Sequence, residues 1–302
     1  MKKLLVLVSI VGLTGCSSVG MGSDELLSPS GDLESEDNVV IDSNNFKYRD
    51  AIENSWVGNT PQDENKYDKP RLGITSHHLP VAADFVGEFY SQFLVGDLGE
   101  YNGETFVVIG PDHPEKCKAT FSSGLVTYKT NFGRLSSDER IVGELFKSGL
   151  VNNEPTCLYR EHSIGVQTDY IKMLLPDSQV VPIVVSSSAT ADETLKVAKM
   201  LNRFHNEAYF VVSIDFNHYR TEEQARVYDQ ETIQAIESME VDDLSIDNVD
   251  SPPSLRVAVE LARLNGLKPN IFGYTNSYEY TGHHANTTSY FNVLFESDQL
   301  KK

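Results

Sequence analysis

Short runs of Val, Ile, Leu and Phe recur along this chain, and stretches with helical spacing separate them. That alternation constrains the fold more than any other feature. Residues 71–76, 105–110, 180–186, 209–215, 270–274 and 288–295 read as strands, bounded by Gly, Pro, Asp or Asn. Pro80 opens a stretch in which Val81, Phe85, Phe89 and Phe93 stand near helical spacing. Residues 138–148, 161–175, 190–206, 221–239 and 252–264 also read as helices, the last closed by Gly266. Residues 118–135 read as an irregular, partly extended excursion. Pro182 lacks an N–H and predicts that its strand lies toward an edge. Strand and helix in alternation predict an α/β domain.

The first sixteen residues stand apart from that pattern. Lys2 and Lys3 precede an apolar stretch from Leu4 to Val11, and Leu13-Thr14-Gly15-Cys16 resembles the lipobox of bacterial lipoproteins. A charged, apolar, small-residue order is that of a signal peptide and is too short to span a bilayer. The resemblance implies cleavage before Cys16 and lipidation of that residue, an envelope location, and with Ser17 following, the outer membrane. Residues 17–60 read as an acidic, flexible tether: no Lys or Arg occurs between Lys3 and Lys47, and low hydrophobicity with one sign of charge opposes packing. The folded domain is then 61–302. A net charge of −19 argues against nucleic acid as a partner and leaves the lipid anchor as the only membrane contact. Cys117 and Cys157 do not make a disulfide scaffold; they read as free thiols, with pairing in an oxidising compartment as the alternative.

Three strands end in histidine: at His77-His78, at Asp112-His113 and at His218. In an open α/β sheet the ligand crevice lies beyond the carboxyl ends of the strands. Imidazoles delivered there from separate strands can converge on one metal ion. Only one of His77 and His78 can face the crevice, because adjacent side chains in extended backbone point oppositely. Asp112 is placed to orient His113, as carboxylates do for metal-bound imidazoles. Glu161 is placed to hold His162. Asp215 and His218, three residues apart, turn to one side of a tight loop, and an acid there raises the basicity of the imidazole. Each motif also has a plainer explanation as a turn or a helix cap.

Five segments in order carry a resemblance to one family: Ser76-His77, Val107-Val108-Ile109-Gly110-Pro111-Asp112-His113, Glu161-His162-Ser163-Ile164-Gly165-Val166, Val180-Val181-Pro182-Ile183 and Ser213-Ile214-Asp215-Phe216-Asn217-His218-Tyr219. Residues 70–296 resemble the Memo-like proteins, also called AmmeMemoRadiSam system protein B. That resemblance implies a fold similar to the class III extradiol dioxygenases, with a mixed central sheet and helices on both faces. It also implies a metal held by two histidines, here His77 and His113, and a cysteine. This chain has no cysteine at the third position, and alignment of the following helix puts Asp250 there. Two His and one carboxylate form the triad of non-haem iron sites. One divalent ion is therefore expected, iron before zinc, manganese or copper. His218 is the expected acid/base, with Asp215, Glu161 and His162 beside it. The reading is a dioxygenase-like metal-dependent oxidoreductase acting on a small organic substrate. Its rivals are a zinc-type hydrolase and a non-catalytic lipoprotein that binds metal or a partner. His283, His284 and His205 read as surface or structural residues.

Overall fold

A computed structural model describes residues 39–297 apart from 57, 59–69, 95–97, 99–100 and 102. The expected signal peptide, Cys16 and most of the expected tether lie outside these. The described chain begins with β1 (Val39–Asp42) and α1 (Arg49–Ser55). β2 (Leu72–Thr75) leads to α2 (Ala83–Phe93) and β3 (Thr105–Pro111). β4 (Phe121–Ser123), β5 (Val126–Thr130), β6 (Gly133–Ser136), α3 (Glu139–Ser148) and β7 (Asn152–Asn153) follow. Then come α4 (His162–Leu174), β8 (Gln179–Val185), α5 (Ala191–Leu201) and β9 (Ala208–Ser213). The chain continues through β10 (His218–Arg220), α6 (Glu222–Ser238), α7 (Pro252–Leu264), β11 (Leu267–Asn276), α8 (Ser277–Thr281) and β12 (Thr287–Ser297).

Nine strands form one mixed sheet in the order β10-β12-β2-β9-β3-β8-β4-β7, with β11 also on β12. Its centre, β2-β9-β3-β8, is parallel; β12 and β4 flank it antiparallel. Successive side chains on a strand point to opposite faces. Val107 and Ile109 of β3, Phe210 and Val212 of β9, and Val181 and Ile183 of β8 accordingly join Val197, Leu201, Leu255 and Leu261 in one core. Phe106, Val108, Tyr209, Val211, Val180 and Val184 join Phe89, Phe93, Ile164 and Tyr170 in another. Both faces are thus covered by helices, as a buried parallel sheet requires.

Four expectations change. The tether expected over 17–60 does not include 39–56, which is folded: β1 pairs with β5, and Ile41 and Ile52 are buried. Asn45 donates to Asp169 Oδ2 on α4 at 3.0 Å, and a Cβ on Gly165 would stand 2.4 Å from Ser43 O. The strand bearing Pro182 is internal, between β3 and β4. Proline is tolerated because its missing N–H falls between the Ser137 bridge at Val180 and the β4 pairing at Val184. The excursion at 118–135 is three strands, two of them in a small sheet β1-β5-β6. Cys117 and Cys157 form a disulfide; closeness across two loops, which spacing does not show, brings them together.

Candidate metal centre

The parallel strands place their carboxyl ends side by side, and three elements deliver donors there. β2 runs into Ser76-His77, β9 into Asp215, and β3 into Asp112-His113. Asp250 arrives from the loop before α7, where its N–H donates to Asp215 O at 2.9 Å and its Oδ2 accepts from Asp215 N at 3.1 Å. Ser251, not Asp250, caps α7. Asp250 is therefore free to face the centre, and its Oδ1 is buried without a hydrogen-bond partner.

His77 is 2% exposed. Its Nε2 lies 3.3 Å from Asp250 Oδ2 and 3.5 Å from Asp215 Oδ2. Burial drives its pKa down to about 3 against the pull of Asp215, so the ring is neutral. Its tautomer follows from Ser213. The Ser213 hydroxyl donates to Ser163 O at 2.7 Å, so its oxygen accepts, from Gln167 Nε2 at 2.9 Å and from His77 Nδ1 at 3.4 Å. The Nε2 lone pair then faces two carboxylate oxygens. A cation between them relieves that arrangement, as does a proton on Asp250, whose pKa burial lifts to about 7.

His113 Nε2 lies 3.7 Å from Asp250 Oδ2. On its other side, Nδ1 donates to Glu161 Oε1 at 2.8 Å, and its backbone N–H donates to Glu161 Oε2 at 2.9 Å. Burial opposes charge on His113, but Asp250 and Glu161 outweigh it and lift the pKa to about 10. Burial likewise works to raise Glu161, and His113 overrides it, to about 2. Glu161, rather than Asp112, thus supports His113. Asp112 instead accepts the N–H groups of Lys116 and Cys117 at 3.1 and 2.8 Å, closing the turn. Glu161 is also not primarily the partner of His162, whose Nδ1 stands 3.8 Å away. Gly110 lets these groups meet: a Cβ there would stand 2.3 Å from Ser163 Oγ at the start of α4.

Two overlapping donor sets result. His77, Asp215 and Asp250 each bring one donor atom within 4.8 Å of the others, and so do His77, His113 and His162. Donors bound to one ion at about 2.0–2.2 Å stand roughly 3–3.5 Å apart. The residues present fit a divalent ion, with Asp250 beside both His77 and His113.

Asp215 is more deeply built in than its expected place beside His218. It accepts from Ser76 Oγ at 2.5 Å and from His77 N at 3.2 Å. Burial works to raise its carboxyl, yet His77, His218 and His78 hold it below the usual value. No hydrogen bond joins Asp215 to His218. Burial lowers the pKa of His218, with the charge of Asp215 opposing. A cleft of about 400 Å³ opens over the centre, lined by His113, Val185, His218, Tyr219, Ile246 and Asp250, among others. His78 turns away, its Nδ1 2.7 Å from Tyr290 Oη. His283 and His284 are exposed, and His284 forms a separate donor group with Glu222 and Glu223. The disulfide and the Glu161–His113 pair were not legible as site features, because both join loops distant in sequence.

Fold and centre together define an α/β protein with a histidine–carboxylate cluster at the carboxyl ends of its sheet. Residues 42–293 match the family described as Memo-like protein, and the chain belongs to that family. A MEMO1 family protein of Aeropyrum pernix is 29% identical over 201 residues, which cover 62% of this chain and 70% of that protein. MEMO1 family protein MMP1387 of Methanococcus maripaludis is 25% identical over 261 residues, covering 78% and 87%. A third, from Aquifex aeolicus, is 26% identical over 207 residues, covering 64% and 75%. Among solved structures, uncharacterized protein JW3007 of Escherichia coli K12 aligns with a TM-score of 0.43 at 12% identity, covering 73% of this chain and 99% of that one.

Proposed function

We propose that this chain is a non-haem, metal-dependent oxidoreductase of dioxygenase-like type that acts on a small organic substrate. His77, His113 and Asp250 hold one divalent ion, iron before zinc, manganese or copper. The observation that carries the reading is the meeting of a neutral, deeply buried His77 with Asp250 at 3.3 Å and of Asp250 with His113 at 3.7 Å, beneath an open cleft. A divalent ion held by these two imidazoles and the carboxylate would supply Lewis-acid and oxygen chemistry to a substrate in the cleft.

The surrounding residues supply the rest. Val185, Tyr219 and Ile246 give the cleft apolar wall against a substrate body. His218 on that wall is biased toward its neutral form by burial and can take a substrate proton. Asp215, held ionised, stabilises the imidazolium that forms. Glu161 fixes His113 by two hydrogen bonds, so its ring points at the ion without reorganisation. The His162 ring stands beside that of His113, with centroids 4.2 Å apart.

Anaerobic purification with metal analysis, followed by oxygen uptake across small aromatic and aliphatic substrates, tests this. Iron near one per chain and substrate-dependent oxygen use support it. Tight zinc without oxygen use sinks it and favours a hydrolase. One feature favours that second reading: His77, His113 and His162 form a three-histidine set, a donor type common for catalytic zinc. Loss of metal in Asp250→Ala but not in His162→Ala separates the two.

The proposal extends to the N-terminus, with Cys16 lipidated and residues 17–38 tethering the domain to the outer membrane of a bacterial envelope. Among the described residues no helix is long and apolar enough to cross a membrane. Cys16→Ser releasing the protein from the membrane fraction supports the anchor; unchanged sedimentation refutes it.

A further inference from the structure

Two irregular segments carry one side of the centre. One follows β3 and holds His113; the other leads into α4 and holds Glu161, with His162 opening the helix. Three ties cross between them. His113 meets Glu161 at 2.8 Å, Cys117 is bonded to Cys157, and Lys118 N–H donates to Glu154 Oε2 at 2.8 Å. The ties run in antiparallel order, so the segments are zipped along their length. The disulfide is the middle tie and the covalent one. It stands four residues from His113 on one segment and four from Glu161 on the other. The opposite donors, His77 and Asp215, follow directly on strands β2 and β9 and need no such tie.

We propose that Cys117 and Cys157 are positioning residues for the metal centre, and that reduction of their disulfide by a dithiol loosens the ion's grip through His113. This rests on the metal reading above. Cys117 is partly exposed, while Cys157 is buried. A thiolate of a thiol–disulfide oxidoreductase therefore attacks Cys117 Sγ, forms a mixed disulfide there and expels Cys157 as a thiolate, which takes up a proton. The second thiol of the reductant resolves the mixed disulfide and releases Cys117. Two electrons pass from the dithiol, which leaves oxidised. The chain that remains has the two segments joined only by the hydrogen bonds of His113 to Glu161 and of Lys118 to Glu154, with no covalent tie.

Cobalt(II) is the probe, titrated anaerobically by its visible absorption into the whole protein. Free thiols also take up cobalt, so the main comparison is between oxidised wild type and Cys117→Ser/Cys157→Ser. Supports of this kind shift metal affinity about 10–100-fold, and the double variant is expected to bind at least tenfold more weakly. In a His113→Ala background the same two serines should change affinity less than twofold, a result that general loosening of the fold does not give. Equal affinity in wild type and the double variant overturns the inference, as does an equal loss with and without His113. If the double variant does not fold, wild type reduced under native conditions and alkylated replaces it. Oxidised wild type that binds no metal sinks the metal reading instead, so the two failures are distinct.

Discussion

His77 and His113 face the same point but are held by different means. His77 sits at the end of β2, inside the sheet, with Asp215 at the end of the neighbouring β9. Its side chain is 2% exposed, and its backbone N–H and ring are each bonded to buried groups. The His113 side chain is 30% exposed and stands on a loop, fixed by Glu161 and, four residues on, by a disulfide. The sheet half inherits its geometry from the register of parallel strands. The loop half must be tied, by charge-assisted hydrogen bonds and a covalent link. One half of the centre is therefore as stable as the core, and the other is the half that conditions can alter.

The largest effect falls on the loop half. Cys117 and Cys157 are 40 residues apart in sequence, and closing a loop of that size stabilises by about 4 kcal/mol in the chain-entropy account. Urea denaturation with and without dithiothreitol measures it. A loss below about 1 kcal/mol would mean that the loops are ordered without their covalent tie, and the two halves would then be held alike.

The next effect probes the support behind the sheet half. Asp229 on α6 accepts from Tyr274 Oη at 2.8 Å, from Ser289 Oγ at 2.7 Å and from the Asn217 amide beside His218. Burial lifts its pKa from 3.8 to about 6, against those hydrogen bonds. The folded chain thus binds this proton more tightly than the unfolded chain. Its contribution to stability is fullest below about pH 4 and is lost as pH rises through about 6, up to about 3 kcal/mol in all. Urea unfolding at intervals between pH 4 and 7 should show that decline, and Asp229→Asn should flatten it whatever its own stability. An unchanged slope in the variant would remove Asp229 as its source.

Legibility in the sequence divides along the same line. The sheet half is readable: apolar runs closing in His77 and Asp215 announce strands that end at one edge, because period and terminator lie next to each other in the chain. Asp250 was reached only through alignment of the following helix to the family, since a lone Asp before Pro252-Pro253 looks like a cap; Ser251 takes that role. Pairings between loops left no local trace. Asp112, next to His113, looked like its support, but that carboxylate is spent on the turn and Glu161, 48 residues away, does the holding. Residues 39–56 read as tether in the sequence because acidic residues surround them. Their burial depends on β5 and α4, far along the chain.

Gly110 is where the two halves touch. Its lack of a Cβ leaves room for Ser163 at the start of α4, and Ser163 O in turn accepts from Ser213. Gly110→Ala puts a methyl 2.3 Å from Ser163 Oγ, and overpacking of this kind costs about 1–3 kcal/mol. The sheet cannot yield, so α4 should shift and carry Glu161 and His162 with it. Weaker cobalt binding alongside the lowered melting temperature is expected. A stability loss with unchanged metal affinity would show that Glu161 follows His113 rather than leading it.

The smallest effect on stability belongs to Tyr219, on the cleft rim next to His218. It is 82% exposed and held at φ +60°, a region unfavourable for a bulky side chain by roughly 1 kcal/mol. Its ring centroid stands 5.6 Å from that of His218, and backbone strain of this sort collects at functional sites. Tyr219→Gly relieves the strain but adds freedom to the unfolded chain worth about the same. Its unfolding free energy should stay within about 0.5 kcal/mol of wild type. If the ring serves as a wall of the cleft, the same variant should weaken binding of an aromatic probe such as catechol to the metal-loaded protein, read by calorimetry. Undiminished binding would leave the strained tyrosine without a role at the centre and place the substrate deeper, against Val185 and His218.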